Sequence, residues 1–289
     1  MYNKLALNPA YAGAQAYTEL TGIVRSQWVG FPGAPKTQQL SANIPLFDQQ
    51  VGLGITANSH SLGVTTFQTI EGSYSYRIKT SESGTLSLGL QTSYRRYTID
   101  FSDPQVVAID GNANDPNLIG GNVNTNSLNF GGGLYYSQDE FYLGVSIPRL
   151  SAQDLTLGDG PLNLTEQRTI NLMGGVSLDL NEQWIVTPQV LFRLVDDQPF
   201  DADINTSFTY DNFLTLGLSY RFGGDRDSFG ESIDFIVGIE INEALMLGAA
   251  YDYNLSQLGR VSSGSFEGLV RYRIGATQGN IIDINPRFF

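Results

Sequence analysis

Residues 200–222 read FDADINTSFTYDNFLTLGLSYRF and alternate polar with apolar side chains. From Phe200 to Tyr210, polar Asp201, Asp203, Asn205, Ser207 and Thr209 take every second place, so a strand puts all of them on one face. Asp211-Asn212 makes a tight turn. The returning run sets Leu214, Leu216, Leu218, Tyr220 and Phe222 against Thr215, Gly217, Ser219 and Arg221. Carboxylates on one face must meet water, while the opposite face is apolar except at Thr206. Such a hairpin asks for a greasy solvent on one side and a wet space on the other.

The same period of two spreads outward from this hairpin. It recurs at 19–28, 37–46, 51–58, 67–78, 85–95, 128–136, 141–147, 170–180, 184–195, 233–241, 245–253 and 266–273. With the opening pair these make about fourteen strands, an even number as expected for a single-chain barrel of an outer membrane. Tight links at 47–50, 137–140, 181–183, 211–212 and 242–244 alternate with longer ones at 29–36, 59–64, 99–126, 148–167, 196–199, 223–231 and 254–264. Short periplasmic turns and long outer loops have that order. The fold class read from this pattern is all-β: a transmembrane antiparallel up-and-down β-barrel, one domain over 1–289, with 1–18 as a non-barrel segment. Soluble sandwiches also alternate, but their strands average about 5–6 residues, whereas these runs approach the roughly 9–11 of a membrane span. Tyr94, Tyr97, Phe101, Tyr135, Tyr136, Phe141, Tyr142, Tyr251, Tyr253, Tyr272, Phe288 and Phe289 lie near strand ends, where interface girdles or plain strand propensity would put them.

Composition excludes several function classes. The 289 residues contain no Cys and one His and carry a formal charge of -13. Thiol chemistry is absent, and phosphate neutralisation by clustered cations is unsupported, so nucleic acid is not an expected partner. No run approaches the roughly 18 apolar residues of a membrane helix. No apolar leader core follows Met1-Tyr2-Asn3-Lys4, so a secretory leader is expected to be missing. No separate N-terminal plug domain, internal repeat or linker is legible.

The catalytic inventory is empty, and no cofactor or metal is expected. His60, in Ser59-His60-Ser61, falls within an expected loop and reads as a solvated turn residue. Asp110-Gly111-Asn112-Ala113-Asn114-Asp115 spaces oxygens like the start of a calcium loop. It lacks the turn glycine, and Gly121 stands where the bidentate glutamate belongs, so turn chemistry explains it better. Asp225, Asp227 and Glu231 form a second acidic loop. Asp201 with Asp203 has a glycosidase-like spacing that lumen lining accounts for without chemistry. Gly131-Gly132-Gly133 and Gly174-Gly175 fall inside strands and read as bulges or close packing.

Two segments carry a family resemblance. Tyr2-Asn3 with Leu7-Asn8-Pro9-Ala10-Tyr11-Ala12-Gly13, and then Arg25-Ser26-Gln27-Trp28-Val29-Gly30-Phe31-Pro32-Gly33-Ala34-Pro35-Lys36-Thr37-Gln38, look like the hallmark of the PorP/SprF family; the close, Pro286-Arg287-Phe288-Phe289, is similar too. The resemblance implies a non-enzymatic outer-membrane protein of Bacteroidetes in the type IX secretion system and, in some members, gliding motility. It implies help with export or anchoring of cell-surface proteins, and contacts to periplasmic or motor components as well as outer-membrane lipid. Trp28, Phe31, Pro32 and Pro35 are the expected partner-binding residues, in a loop stiffened by its prolines. Terminal Phe289 resembles the aromatic end that outer-membrane barrels present to their assembly machinery. An outer-membrane channel or hydrophobic-solute transporter, and a soluble adhesin or lectin sandwich, stand as alternatives.

Overall fold

The computed structural model describes residues 2–103, 121–156, 163–196, 198–223, 230–255 and 262–275. Two 3-10 turns, Lys4–Ala6 and Pro9–Tyr11, precede the strands. β1 spans Thr18–Ser26, β2 Lys36–Leu46, β3 Val51–Leu62, β4 Thr65–Lys79, β5 Thr85–Asp100, β6 Asn122–Ser137 and β7 Phe141–Arg149. The short strands β8 (Gln153–Thr156) and β9 (Asn163–Glu166) pair only with each other. β10 (Thr169–Val176) continues into β11 (Leu178–Asp179), and both pair with β12 (Trp184–Val195). β13 (Asp201–Tyr210), β14 (Leu214–Phe222), β15 (Ser232–Glu240), β16 (Leu245–Asn254) and β17 (Ser265–Ile274) complete the wall. β17 pairs antiparallel with β1, from Thr18 opposite Ile274 to Ser26 opposite Phe266, so the sheet closes on itself. Taking β10 and β11 as one interrupted strand, the wall has the expected 14 antiparallel strands.

Closure leaves no edge, and every wall strand has two neighbours to satisfy its peptide groups. The two faces divide as the alternation requires. Leu40, Ile55, Ile70, Leu90, Leu128, Phe130, Leu216 and Leu218 are exposed outward, whereas Thr56, Ser75, Ser87, Gln91, Asn129, Asn205 and Ser219 are buried inward. Asp211 and Asn212 both take positive φ, at 48° and 52°, the conformation a two-residue hairpin turn needs.

Three expectations are corrected. The link expected at 59–64 is mostly strand: β3 runs to Leu62, Gly63 and Val64 make the turn, and β4 starts at Thr65. The 99–126 link likewise loses residues to β5 and β6, which have 16 residues each. Beyond Tyr94 the two faces exchange character. Arg96 and Asn126, exposed, and the paired Thr98 and Asn124 point outward, whereas Tyr97, Val123, Phe67 and Ile99 pack inward against Leu155 and Leu164 of the β8–β9 hairpin. A wall whose outside turns polar has left the hydrocarbon, and its inside becomes the core of a small soluble cap. The girdle reading fails for Tyr97, Tyr135 and Tyr142, which are buried inside; Tyr94, Tyr253 and Tyr272 do face out.

Candidate functional site

Residues 2–17 do not lie outside the barrel. They coil through the lumen from the short-turn end, where Tyr17 joins β1, and act as a plug. A loop buried in this way must have its peptide groups satisfied by something other than water. The wall supplies the partners. Ser146 Oγ and Asn171 Nδ2 donate to Leu7 O at 2.6 and 2.9 Å. Ser75 Oγ donates to Ala12 O at 2.6 Å, and Arg77 Nη1 donates to Gly13 O at 2.7 Å. Asn43 Oδ1 accepts from Gly13 N at 2.6 Å, and Arg271 Nη2 donates to Tyr2 O at 2.6 Å.

Asn8 is the pivot of this segment. Its Oδ1 accepts from Ala10 N at 2.9 Å, fixing the second 3-10 turn, and its Nδ2 donates to Leu134 O at 2.9 Å between β6 and β7. Leu5, Ala10, Tyr11 and Ala12 form an apolar cluster with Tyr135, Tyr142 and Met173. Close approach depends on wall glycines. A Cβ on Gly89 would stand 2.2 Å from Ala10 N, one on Gly52 2.1 Å from Ala12 O, and one on Gly133 2.2 Å from Asn8 Oδ1. Even alanine is too large at these positions. Close packing, one of the two readings open for the glycine pairs, holds for Gly133 and for Gly175, which lies against the Tyr142 ring.

Lys4 is buried in the plug with its ammonium 4.2 Å from the Tyr142 ring centre and 5.7 Å from that of Tyr11. Burial lowers its pKa from 10.5 to about 7, with Arg271 adding repulsion and Glu19 opposing it. The docked amine therefore holds fewer protons than the free one between these values, and docking gains stability as pH rises through that window. The unfolding midpoint of the intact chain is expected to climb between about pH 7 and pH 10 relative to Lys4→Met. Parallel pH profiles for the two proteins would refute the assignment.

Above the plug lies a cavity of about 530 Å³, floored by Tyr2, Lys4 and Leu7. One side carries a continuous ion network. Arg221 pairs with Asp203 at 2.8 Å, Asp234 at 3.5 Å and Asp252 at 3.7 Å. Arg193 reaches Asp203 at 3.1 Å, and Arg25 reaches Asp252 at 2.8 Å and Glu267 at 3.6 Å. The lumen carboxylates expected to meet water thus meet arginines as well. Across the lumen, Glu166 at the end of β9 takes Arg95 at 3.1 Å, Arg149 at 3.4 Å and the Ser127 hydroxyl at 2.6 Å. That contact pins the hairpin inside the mouth, beside a further space of about 430 Å³. The arrangement fixes and closes; among its described residues no group is paired as nucleophile and base.

The residues singled out in the sequence are scattered. His60 lies on β3, not in a loop, and faces the mouth with Nδ1 2.8 Å from Thr37 Oγ1. Phe31 and Pro32 are exposed at the tip of the β1–β2 loop, Trp28 is half-buried with φ 46°, and Pro35 is buried at its base. Gln27 N to Pro35 O closes this loop at 2.9 Å, while Gly63 N to Gly33 O and Val29 N to Gly264 O tie it to both neighbouring loops. The run from Asp110 to Asp115, the acidic pair Asp225 and Asp227, and the end from Pro286 to Phe289 lie outside the described residues. Sequence reasoning missed the plug; its signal was the inward glycines Gly52, Gly89 and Gly133, spaced where side chains would otherwise fill the lumen.

Residues 1–272 match the family described as type IX secretion system membrane protein PorP/SprF. Among solved structures, the Pseudomonas putida toluene transporter TodX gives a TM-score of 0.54 at 14% identity, covering 94% of this chain and 93% of that one. A TodX deltaS2S3 mutant, described as a monoaromatic hydrocarbon channel, gives 0.56 at 15% identity over 94% of each chain. The Acinetobacter baumannii outer membrane protein Omp33 gives 0.51 at 10% identity, covering 90% of this chain and 100% of that one. At these identities the likeness is one of fold. No curated protein matches the sequence.

Proposed function

This chain belongs to the PorP/SprF family of type IX secretion system membrane proteins, and from that membership we propose that it serves as a closed, non-enzymatic outer-membrane platform. In this reading it assists export or anchoring of cell-surface proteins through protein contacts. The observation that carries it is the plug: a lumen packed at its short-turn end with the chain's own residues 2–17 suits a scaffold better than a conduit. The partners are periplasmic or motor components of the secretion or gliding machinery at the short turns, and a secreted surface protein at the loops. Phe31 and Pro32, held out by a loop tied on both sides, offer a preorganised contact, with Trp28 and Pro35 bracing it.

The hydrophobic-solute channel has one observation in its favour, the barrel likeness to TodX. A cavity walled by Arg25, Arg193, Arg221, Asp203 and Asp252 suits such a solute poorly. The test is affinity purification of the intact chain from detergent-solubilised outer membrane. Secretion-system components are expected to copurify, and Trp28→Ala with Phe31→Ala is expected to weaken capture of the surface-side partner by about thirtyfold, the effect of losing roughly 2 kcal/mol at an interface centre. Absence of any such component from the wild-type preparation would remove the platform reading. Undiminished capture by the double variant would instead remove the loop from it.

A further inference from the structure

Along β1–β5 the outward side chains lie on rows set by strand register. Gly22 stands opposite Leu40, Leu40 opposite Ala57, Ala57 opposite Ile70, and Ile70 opposite Tyr94. One step nearer the mouth, Val24 of β1 is followed in the same way by Gln38, Ser59, Gln68 and Arg96. The first row is apolar and the second is polar from β2 to β5, so the hydrocarbon boundary runs between them on those four strands.

A cylinder is convex and ordinarily offers lipid no recess. Here the small residues Gly22 and Ala57 alternate with Leu40, Ile70 and Tyr94, and the resulting groove has a volume of about 1000 Å³. Its rim carries Arg96, which is exposed and has no ion pair or hydrogen bond among the described residues. Apolar floor, amide and hydroxyl edge and a free guanidinium at the interface match one chemistry, an acyl chain joined to a phosphate. A guanidinium at that depth gains by pairing with a phosphate and would be poorly served by a neutral headgroup.

We propose that this groove binds one phosphorylated lipid of the outer leaflet, with an acyl chain over Gly22 and Ala57 and the phosphate on Arg96. The site is separate from the plugged lumen and does not depend on the platform reading. A resident lipid here would orient the barrel in the membrane and extend the face that a membrane-embedded partner meets.

Native mass spectrometry of the full chain in non-ionic detergent tests it, with phosphatidylglycerol and diacylglycerol of identical acyl chains as probes. One equivalent of phosphatidylglycerol is expected to be retained about tenfold more tightly than diacylglycerol. Arg96→Gln should remove that tenfold advantage, and Ala57→Leu, which fills the recess, should weaken both lipids. Heat-modifiable gel mobility checks that each variant is a folded barrel. Equal retention of the two lipids by the wild type overturns the proposal, as does unchanged phosphatidylglycerol binding in both variants. Displacement of the lipid by inorganic phosphate at equal concentration also overturns it, because the anion alone would then account for binding.

Discussion

Excising residues 2–13 is expected to convert a silent barrel into a conducting one. In planar bilayers the intact chain should show no steady steps, and the excised chain should exceed it in conductance by about tenfold or more, as an emptied lumen of this strand number would allow. The physical cause is the match between wall and plug. Ser75, Ser146, Asn43, Arg77 and Arg271 are spent on plug peptide groups, and without the plug they line a wet passage. Gly89→Leu provides the same result without deletion, since its Cβ alone would fall 2.2 Å from Ala10 N and force the segment out. An excised or Gly89→Leu barrel that folds yet stays as silent as the wild type would show that something other than residues 2–13 closes the lumen.

The second large effect is at Arg221. Three carboxylates, Asp203, Asp234 and Asp252, converge on this one guanidinium, whose side chain is 19% exposed. Arg221→Met takes from Asp234 its guanidinium and leaves Asp203 and Asp252 only Arg193 and Arg25, at a cost of about 3 kcal/mol, the low end for a broken buried pair because those partners remain and the cavity admits water. Asp203→Asn should cost only about 1 kcal/mol, since Arg221 keeps two acids and loses the charge of one. The urea midpoint of the heat-modifiable band reads both. Adding Asp234→Asn to Arg221→Met should recover part of the loss, because it removes one of the repelling charges. If Arg221→Met unfolds at the wild-type urea concentration, the network contributes nothing to holding this side of the barrel.

The strand plan was largely legible. Leu214, Leu216 and Leu218 against Ser219 and Arg221 is a pattern that only a two-faced strand satisfies, and β14 has those faces. The errors sit where a local rule stops applying. The stretch Ser59 to Leu62 looked like loop because its outward side chains are polar, but a strand that has risen above the hydrocarbon should be polar outside. For Tyr97 a girdle and plain strand propensity were both open, and the girdle fails because at that height the apolar side is the inner one. Of the candidate site, Asp203 was correctly read as lumen lining, and its pairing with Arg193 and Arg221 was not foreseen.

Local sequence was enough for the two-faced wall: strand number, the apolar outside, the polar inside and the order of tight turns are all written in neighbouring residues with a period of two. What packs inside that wall depends on contacts between distant parts of the chain. Asn8 meets the Leu134 carbonyl 126 positions away, and Arg271 meets the Tyr2 carbonyl across 269. Contacts between groups so distant along the chain leave no periodic trace, because they are set by where barrel closure brings the inward glycines and hydroxyls together.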